Sequence, residues 1–387
     1  MSEIKVNSIK GVGASAAAIT VNNTDGTCTA NITNNLSNRN VVINGEFQVA
    51  QRATSTASIT SAGYHTCDRW YTTLGTAGTW TQSQSTDVPA GTAFRSSLKM
   101  DCTTADASLA AGDRLMLSYR LEGQDVQRFG KGTTSPKKFA LSFWVKSPKT
   151  GTHIVELFDH DNSRHICKAY TIASADTWEQ QKLIIDNETS NAFGNDNGKS
   201  LEIQFYLAAG STYTSGTLAT SWAANTNANR AVGQVNVADN TANNFYLCGV
   251  QLEASDVCTN FEHRSYADEV KLCERYFQTS FERGQAPTYG LSKFIYKIGR
   301  PYSGAIVAGM DHTLRTEMRA TPTLVLYTTV NGSHATPNRI SYFEGSAWLS
   351  GAISVHPGTN TKSFAFDGTL ASGFVLYQFN FTCEAEL

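Results

Sequence analysis

The sequence has little charge: Asp, Glu, Lys and Arg make up only 17% of its 387 residues, and 31 basic side chains stand against 33 acidic ones, a formal net charge of −2. That balance gives no general attraction to nucleic acid or to an anionic membrane surface, and leaves room only for a local basic patch. No stretch approaches the roughly 20 consecutive apolar residues needed to span a bilayer, so no membrane span is expected. The opening MSEIKVNSIKG has no apolar core of the kind a secretory signal needs, which predicts a chain made and folded in a cytoplasm. The eight cysteines, Cys28, Cys67, Cys102, Cys167, Cys248, Cys258, Cys273 and Cys383, never fall in a Cys-x-x-Cys pair. Free, mostly buried thiols are the expectation in that compartment. Sequons such as Asn331-Gly332-Ser333 carry no glycosylation message without a secretory route. A Gly-x-Ser-x-Gly elbow, a phosphate loop and a His-Glu-x-x-His helix are all missing, and Gly11-Val12-Gly13 opens no βαβ unit.

Residues 1–40 also lack every aromatic. Their apolar side chains, Ile4, Val6, Ile9, Ile19, Val21 and Ile32, are scattered among Gly, Ala, Thr and Asn, and such a segment cannot build a core of its own. It is read as an extended attachment arm held by sister chains, a docking partner or both, against the alternative of an arm folded back on its own domain.

What is present is the chemistry of strands and turns: Thr, Ser, Asn, Ala and Gly dominate the polar remainder. Residues 41–264 repeat a period of two. Phe139, Leu141, Phe143 and Val145 share one face, as do Leu115, Leu117, Tyr119 and Leu121, and Leu201, Ile203, Phe205 and Leu207. Turn-forming clusters separate the runs, among them Asp159-His160-Asp161-Asn162-Ser163, Asn195-Asp196-Asn197-Gly198 and the Asn/Thr/Ala stretch 214–229. This predicts a mainly β molecule whose first domain is an antiparallel sandwich of the jelly-roll type. A linker helix is predicted within residues 265–278: Ser265 is placed to cap it, Asp268 follows three residues on, and Tyr266, Val270, Cys273 and Phe277 fall on one face. Residues 279–387 return to alternation, with Leu324, Leu326 and Val330 and with Val375, Tyr377, Phe379 and Phe381, which predicts a smaller C-terminal β-domain. Asn331-Gly332 marks a hairpin there, and Pro322 a strand boundary.

Candidate sites are few. Asp159, His160, Asp161 and His165 place carboxylates and imidazoles close together, but the flanking strand patterns make them a solvated hairpin tip rather than a metal site. Glycosidase chemistry needs two facing carboxylates, for which Glu156 with Asp159 or Asp161 is the available pairing. For sugar binding, an exposed aromatic stacks on a pyranose ring. Trp144, opposite in parity to Phe143, and Trp222, in the Asn/Thr-rich loop, are the candidates, with burial beneath the second sheet or a neighbouring subunit as the rival reading for Trp144. Trp70 and Tyr71 read as core and rim aromatics, and Asp68-Arg69 and Glu122 as paired polar groups at strand ends.

Val42-Ile43-Asn44-Gly45-Glu46-Phe47-Gln48-Val49-Ala50-Gln51-Arg52 followed by Asp68-Arg69-Trp70-Tyr71 resembles the opening of a domain found in phage tail fibre proteins, notably those of tailed marine phages. Tyr119-Arg120-Leu121-Glu122-Gly123, Val250-Gln251-Leu252-Glu253, Phe261-Glu262-His263-Arg264-Ser265-Tyr266, Cys273-Glu274-Arg275-Tyr276-Phe277, Met318-Arg319-Ala320-Thr321-Pro322-Thr323 and Ala385-Glu386-Leu387 follow in the same order, so the likeness covers residues 41–387. It implies a non-enzymatic virion protein, a homotrimeric tail fibre or adhesin subunit. Its residues 1–40 would dock on a tail or adaptor protein, and its jelly roll would resemble a carbohydrate-binding module facing a host surface glycan or receptor. It implies no cofactor beyond a structural calcium near the first and last strands of the sandwich, with Glu46 and Glu253 as oxygen donors, although Gln251 stands where a further acid is wanted. The alternatives are a tail-borne polysaccharide depolymerase and a purely architectural tail or neck protein.

Overall fold

The computed structural model describes residues 37–286, 295–299, 306–307, 312–328, 338–344, 347–369 and 375–387, together with 8–10, 12, 19–21, 24 and 28–30 of the N-terminal segment. The readings at Ile4, Val6, Gly11, Gly13, Ile32, Val330, Asn331, Gly332 and Ser333 lie outside the described residues.

Alternation builds the first domain. One antiparallel sheet runs, in spatial order, Glu179–Ile185, Phe139–Lys146, Asn244–Ala254, Ser97–Thr104, Thr79–Ser85 and Ser55–Ile59. The other has seven strands: Ala223–Ala224, Arg164–Ile172, Gly151–Asp159, Lys199–Ala209, Arg114–Glu122, Trp70–Gly75 and Gly63–Tyr64. The apolar faces foreseen from spacing meet between the sheets, where Leu115, Leu117, Leu141, Phe143, Ile203 and Phe205 are fully buried. At the centre Trp70 is inaccessible to solvent, with its ring 4.8 Å from Phe47, 5.3 Å from Tyr119 and 6.2 Å from Phe205. Its indole Nε1 donates to the Asn44 carbonyl at 3.1 Å, so the one polar atom of a large buried ring is satisfied. A register shift in the pairing of Phe139–Lys146 with Asn244–Ala254 falls at Gly249, whose φ of +58° suits glycine and whose missing side chain leaves room for the Phe94 ring.

The predicted helix forms over Tyr266–Glu274, and the Ser265 hydroxyl accepts from the Asp268 amide at 3.1 Å. Val270 and Cys273 are buried as expected. Tyr266 instead stands 48% exposed, and Phe277 belongs to the following strand Phe277–Thr279, because the helix ends before its fourth turn-mate is reached. The C-terminal unit has a separate core containing Leu324, Leu326, Tyr377, Phe379 and Phe381. Its long strand Val375–Glu384 pairs with Phe277–Thr279, Ile295–Gly299, Thr323–Tyr327 and Arg339–Glu344 in an all-antiparallel arrangement.

Polar clamps tie this unit to the sandwich. Arg275 grips Glu122 through Nε (2.8 Å) and Nη2 (2.7 Å). Arg319 and Asn197 exchange side-chain-to-carbonyl bonds of 2.8 and 2.6 Å, and the buried Arg69 pairs with Glu386. The sequence reading of Asp68-Arg69 and Glu122 as paired structural groups agrees with this. In the N-terminal segment, Ser8–Ile9, Ile19–Val21 and Cys28–Ala30 form a three-stranded antiparallel meander, with Ile9 and Val12 exposed.

Candidate functional site

The outer face of the seven-stranded sheet carries the chemistry. On Arg114–Glu122 the odd-numbered residues from Leu115 point into the core, so Arg114, Met116, Ser118 and Arg120 point outward. Adjacent strands add Tyr71 and Thr73 on one side and Glu202, Gln204 and Tyr206 on the other, with Glu202 directly opposite Arg120. Residues 210–231 fold over half of this face, burying Met116, Ile154, Cys167 and Tyr206 against Tyr213, Ala219 and Ala231. The uncovered half is a cleft of about 380 Å³ whose walls include Tyr71, Arg114, Arg120, His160, Glu202 and Arg230.

Glu202 is the charge-pairing centre. Arg120 Nε lies 3.0 Å from Oε1, His160 Nε2 2.7 Å from Oε2, and Lys199 Nζ 3.8 Å away. Burial pushes the Glu202 carboxyl up, but the His160 hydrogen bond and the Arg120 and Lys199 charges outweigh it and bring its pKa down to about 2. The Arg120 guanidinium also lies over the Tyr71 ring, 3.8 Å from its centroid. Arg230 holds Glu156 with Nε and Nη2, donates to Gln204 Oε1 at 2.8 Å, and lies 5.1 Å from the centre of the Phe158 ring. Arg114 donates to the Tyr213 hydroxyl and has no carboxylate partner among the described residues.

Beneath the covered half lies a second polar cluster. Ligand atoms of Glu156, His165 and Cys167 fall within 4.8 Å of one another, all buried. His165 Nδ1 is 2.7 Å from Glu156 Oε1, and Tyr206 donates to Oε2 at 3.0 Å. The donor set suits a soft divalent ion, but Arg230 already supplies a positive charge to both carboxylate oxygens, so an added cation would meet a fixed one. Burial holds the Cys167 thiol far above its ordinary range, and the cluster is a neutralised internal network.

The sequence candidates are dispersed. Trp144 stands half-buried on the outer face of the six-stranded sheet, between Gln180 and Cys248, on the opposite side of the sandwich from the cleft. Trp222 packs against the core 6.0 Å from Phe139, donates Nε1 to the Asp186 carbonyl at 2.9 Å, and has Lys131 Nζ 4.6 Å from its ring centre. Glu46 is bonded to His263 (3.0 Å), and Glu253 to Thr259 and Gln251, with no hydrogen-bond partner shared by the two acids among the described residues. The solvated-tip reading of residues 159–165 needs correcting at Asp159 and His165, both fully buried: Asp159 pairs with the buried Lys131 at 2.7 Å, and His165 joins the Glu156 network. Glu156 and Asp159 differ in parity on one strand and are engaged by Arg230 and Lys131 respectively, so they do not face each other. Of the tip residues His160 alone reaches the cleft.

No protein-family profile matches the sequence, and no curated protein matches it. Among solved structures, the enzymatically active domain of tailspike protein 4 of bacteriophage CBA120 is similar at 14% identity and TM-score 0.29, covering 57% of this chain and 21% of that one. A CBM4 carbohydrate-binding module is similar at 11% identity and TM-score 0.27, over 54% of this chain and 97% of that one. The family 11 carbohydrate-binding module of Clostridium thermocellum, solved with a β-1,3-1,4-mixed-linked tetrasaccharide, stands at 12% identity and TM-score 0.25, over 52% and 97%. Overlap at that level transfers neither fold nor function, and the antiparallel sandwich rests on the strand pairing itself.

Proposed function

We propose that this chain is a non-catalytic binding protein that holds a surface glycan in the cleft over Tyr71, Arg120 and Glu202. The carrying observation is the cleft itself: an open trough across a rigid sheet, walled by fixed hydrogen-bonding side chains and apolar groups in close alternation. Such a surface suits a chain of hydroxylated rings, because each polar group is oriented by a neighbour before the ligand arrives. Against hydrolysis stands the count of acids. Glu202 is the one carboxylate in the cleft wall among the described residues, and it is held ionised, whereas a two-carboxylate glycosidase needs a protonated acid facing it.

The wider setting in this proposal is a phage tail fibre or adhesin, a homotrimer in the virion docked on the tail through residues 1–40 and meeting the host with its sandwich and C-terminal domain. The ordered series of motifs over residues 41–387 supports it. Purified protein should label host cells and slow phage adsorption without releasing reducing ends from host polysaccharide; new reducing ends would favour the depolymerase instead. Removing residues 1–36, short of Asn38 and Asn40, which bond Glu262 and the Val250 carbonyl in the sandwich, should leave a folded remainder that no longer enters particles. Blank cell binding with normal particle assembly would favour an architectural role.

A further inference from the structure

We propose that the ligand of this cleft is an acidic saccharide, one bearing carboxylate groups, received by the Arg114 guanidinium, which no carboxylate neutralises among the described residues. The inference rests on the reading of the cleft as a glycan site and goes further by naming the class of sugar.

Charge is the first ground. The whole chain is slightly acidic, at −2, yet three guanidinium groups, Arg114, Arg120 and Arg230, line the cleft against one lining carboxylate, Glu202; Arg230 is met from behind by Glu156 and Arg120 by the Leu387 carboxyl, which leaves Arg114 without a carboxylate among the described residues. Asp113, the acid next to Arg114 in sequence, is turned to the Thr76 hydroxyl and to the Ala110 amide (2.7 Å). Arg114 therefore presents an unneutralised guanidinium, steadied by the Tyr213 hydroxyl and lying 5.1 Å from the centre of that ring. A guanidinium held in place matches the planar fork of a carboxylate.

What the aromatics show to solvent is the second ground. A neutral pyranose is commonly received on a bare aromatic face. Here the Arg120 guanidinium covers Tyr71 at 3.8 Å and the Arg230 guanidinium lies 5.1 Å from the Phe158 ring centre, so planar cations occupy those ring faces. Length is the third. Arg114 and Arg120 are six residues apart on one strand, about 20 Å at a strand's rise per residue. That span suits several consecutive rings with acidic groups spaced along them, and a single sugar covers only part of it.

The test uses the full chain and calorimetric titration with uronate- and sialate-containing oligosaccharides, each paired with its carboxyl-reduced counterpart, in low and high salt. The expected result is binding of acidic members, weakened by salt and by carboxyl reduction, with affinity falling about tenfold in Arg114→Gln, as for loss of one charge-assisted hydrogen bond. Trp144→Ala, on the far face, should bind as the parent does. Equal binding of acidic and reduced sugars, insensitive to salt, overturns this inference and leaves the glycan reading standing. Binding of neither overturns both. The salt and carboxyl-reduction arms need no variant, so a misfolded Arg114→Gln protein does not spare the inference.

Discussion

The Arg120 guanidinium carbon sits 3.8 Å from the centre of the Tyr71 ring, on the neighbouring strand. Its Nε reaches Glu202 on the opposite neighbour at 3.0 Å, so one side chain joins three strands across the cleft floor. Replacing it by Met removes the largest nearby charge on Glu202 while keeping apolar bulk over Tyr71. The Glu202 carboxyl, held at about 2, should then rise by about one unit or more. Carbon-detected NMR titration of the side-chain carboxyl reads this directly, and an unchanged pKa would mean that His160 and Lys199 hold the charge alone.

Acid stability should separate two buried groups. Burial brings the His153 imidazole down from 6.5 to about 4, against a weaker opposing pull from the Lys149 carbonyl. The unfolded chain then binds the proton first, so His153 contributes stability that is complete above pH 6.5 and lost as pH falls toward 4, on the order of 3 kcal/mol. Asp68 runs the other way. Burial raises it from 3.8 to about 6 despite Arg52 and Gln51, so acidification across that window favours the folded state. Relative to the parent, His153→Gln should lose less stability between pH 6.5 and 4, and Asp68→Asn should lose more, in denaturant titrations at each pH.

The buried pair Arg69 and Glu386 should behave as a clamp between the sandwich and the C-terminal residues, since their side chains are only 1% and 4% exposed. Glu386→Ala leaves a buried guanidinium without its counter-ion and should cost about 3–5 kcal/mol in denaturant unfolding. Arg69→Met together with Glu386→Leu should recover much of that loss. A silent single substitution would show the clamp to be idle.

Trp222→Ala should cost about 3 kcal/mol, because it removes a ring packed on Phe139 and the nearer of the two rings, Trp222 and Phe193, that Lys131 lies over. Glycan affinity should be unchanged once folding is allowed for. A selective loss of affinity in a fully stable Trp222→Ala protein would return this residue to the binding role that its loop suggested.

The fold was legible wherever alternation is strong. Phe139 to Val145 and Leu201 to Leu207 occupy the strands and the buried face that their spacing predicts, and Ser265 caps the helix. The site was not legible, for a physical reason. The signal was present in Arg114, Met116, Ser118 and Arg120, the outward half of a strand whose inward half was recognised, but Tyr71, Arg120 and Glu202 meet only through the order of three strands far apart in sequence. Periodicity gives the face of a residue and says nothing of its neighbour across the sheet. Trp144 and Trp222 drew attention as large aromatics in exposed-looking contexts, and the cleft uses smaller polar groups that look ordinary one strand at a time.

The most direct measurement is a crystal structure of the full chain grown with a fragment of host surface polysaccharide. Sugar density is expected along the outer face of the seven-stranded sheet, in contact with Arg114, Arg120 and Glu202. Density on the Trp144 face of the six-stranded sheet, with the cleft holding only water, would contradict that placement.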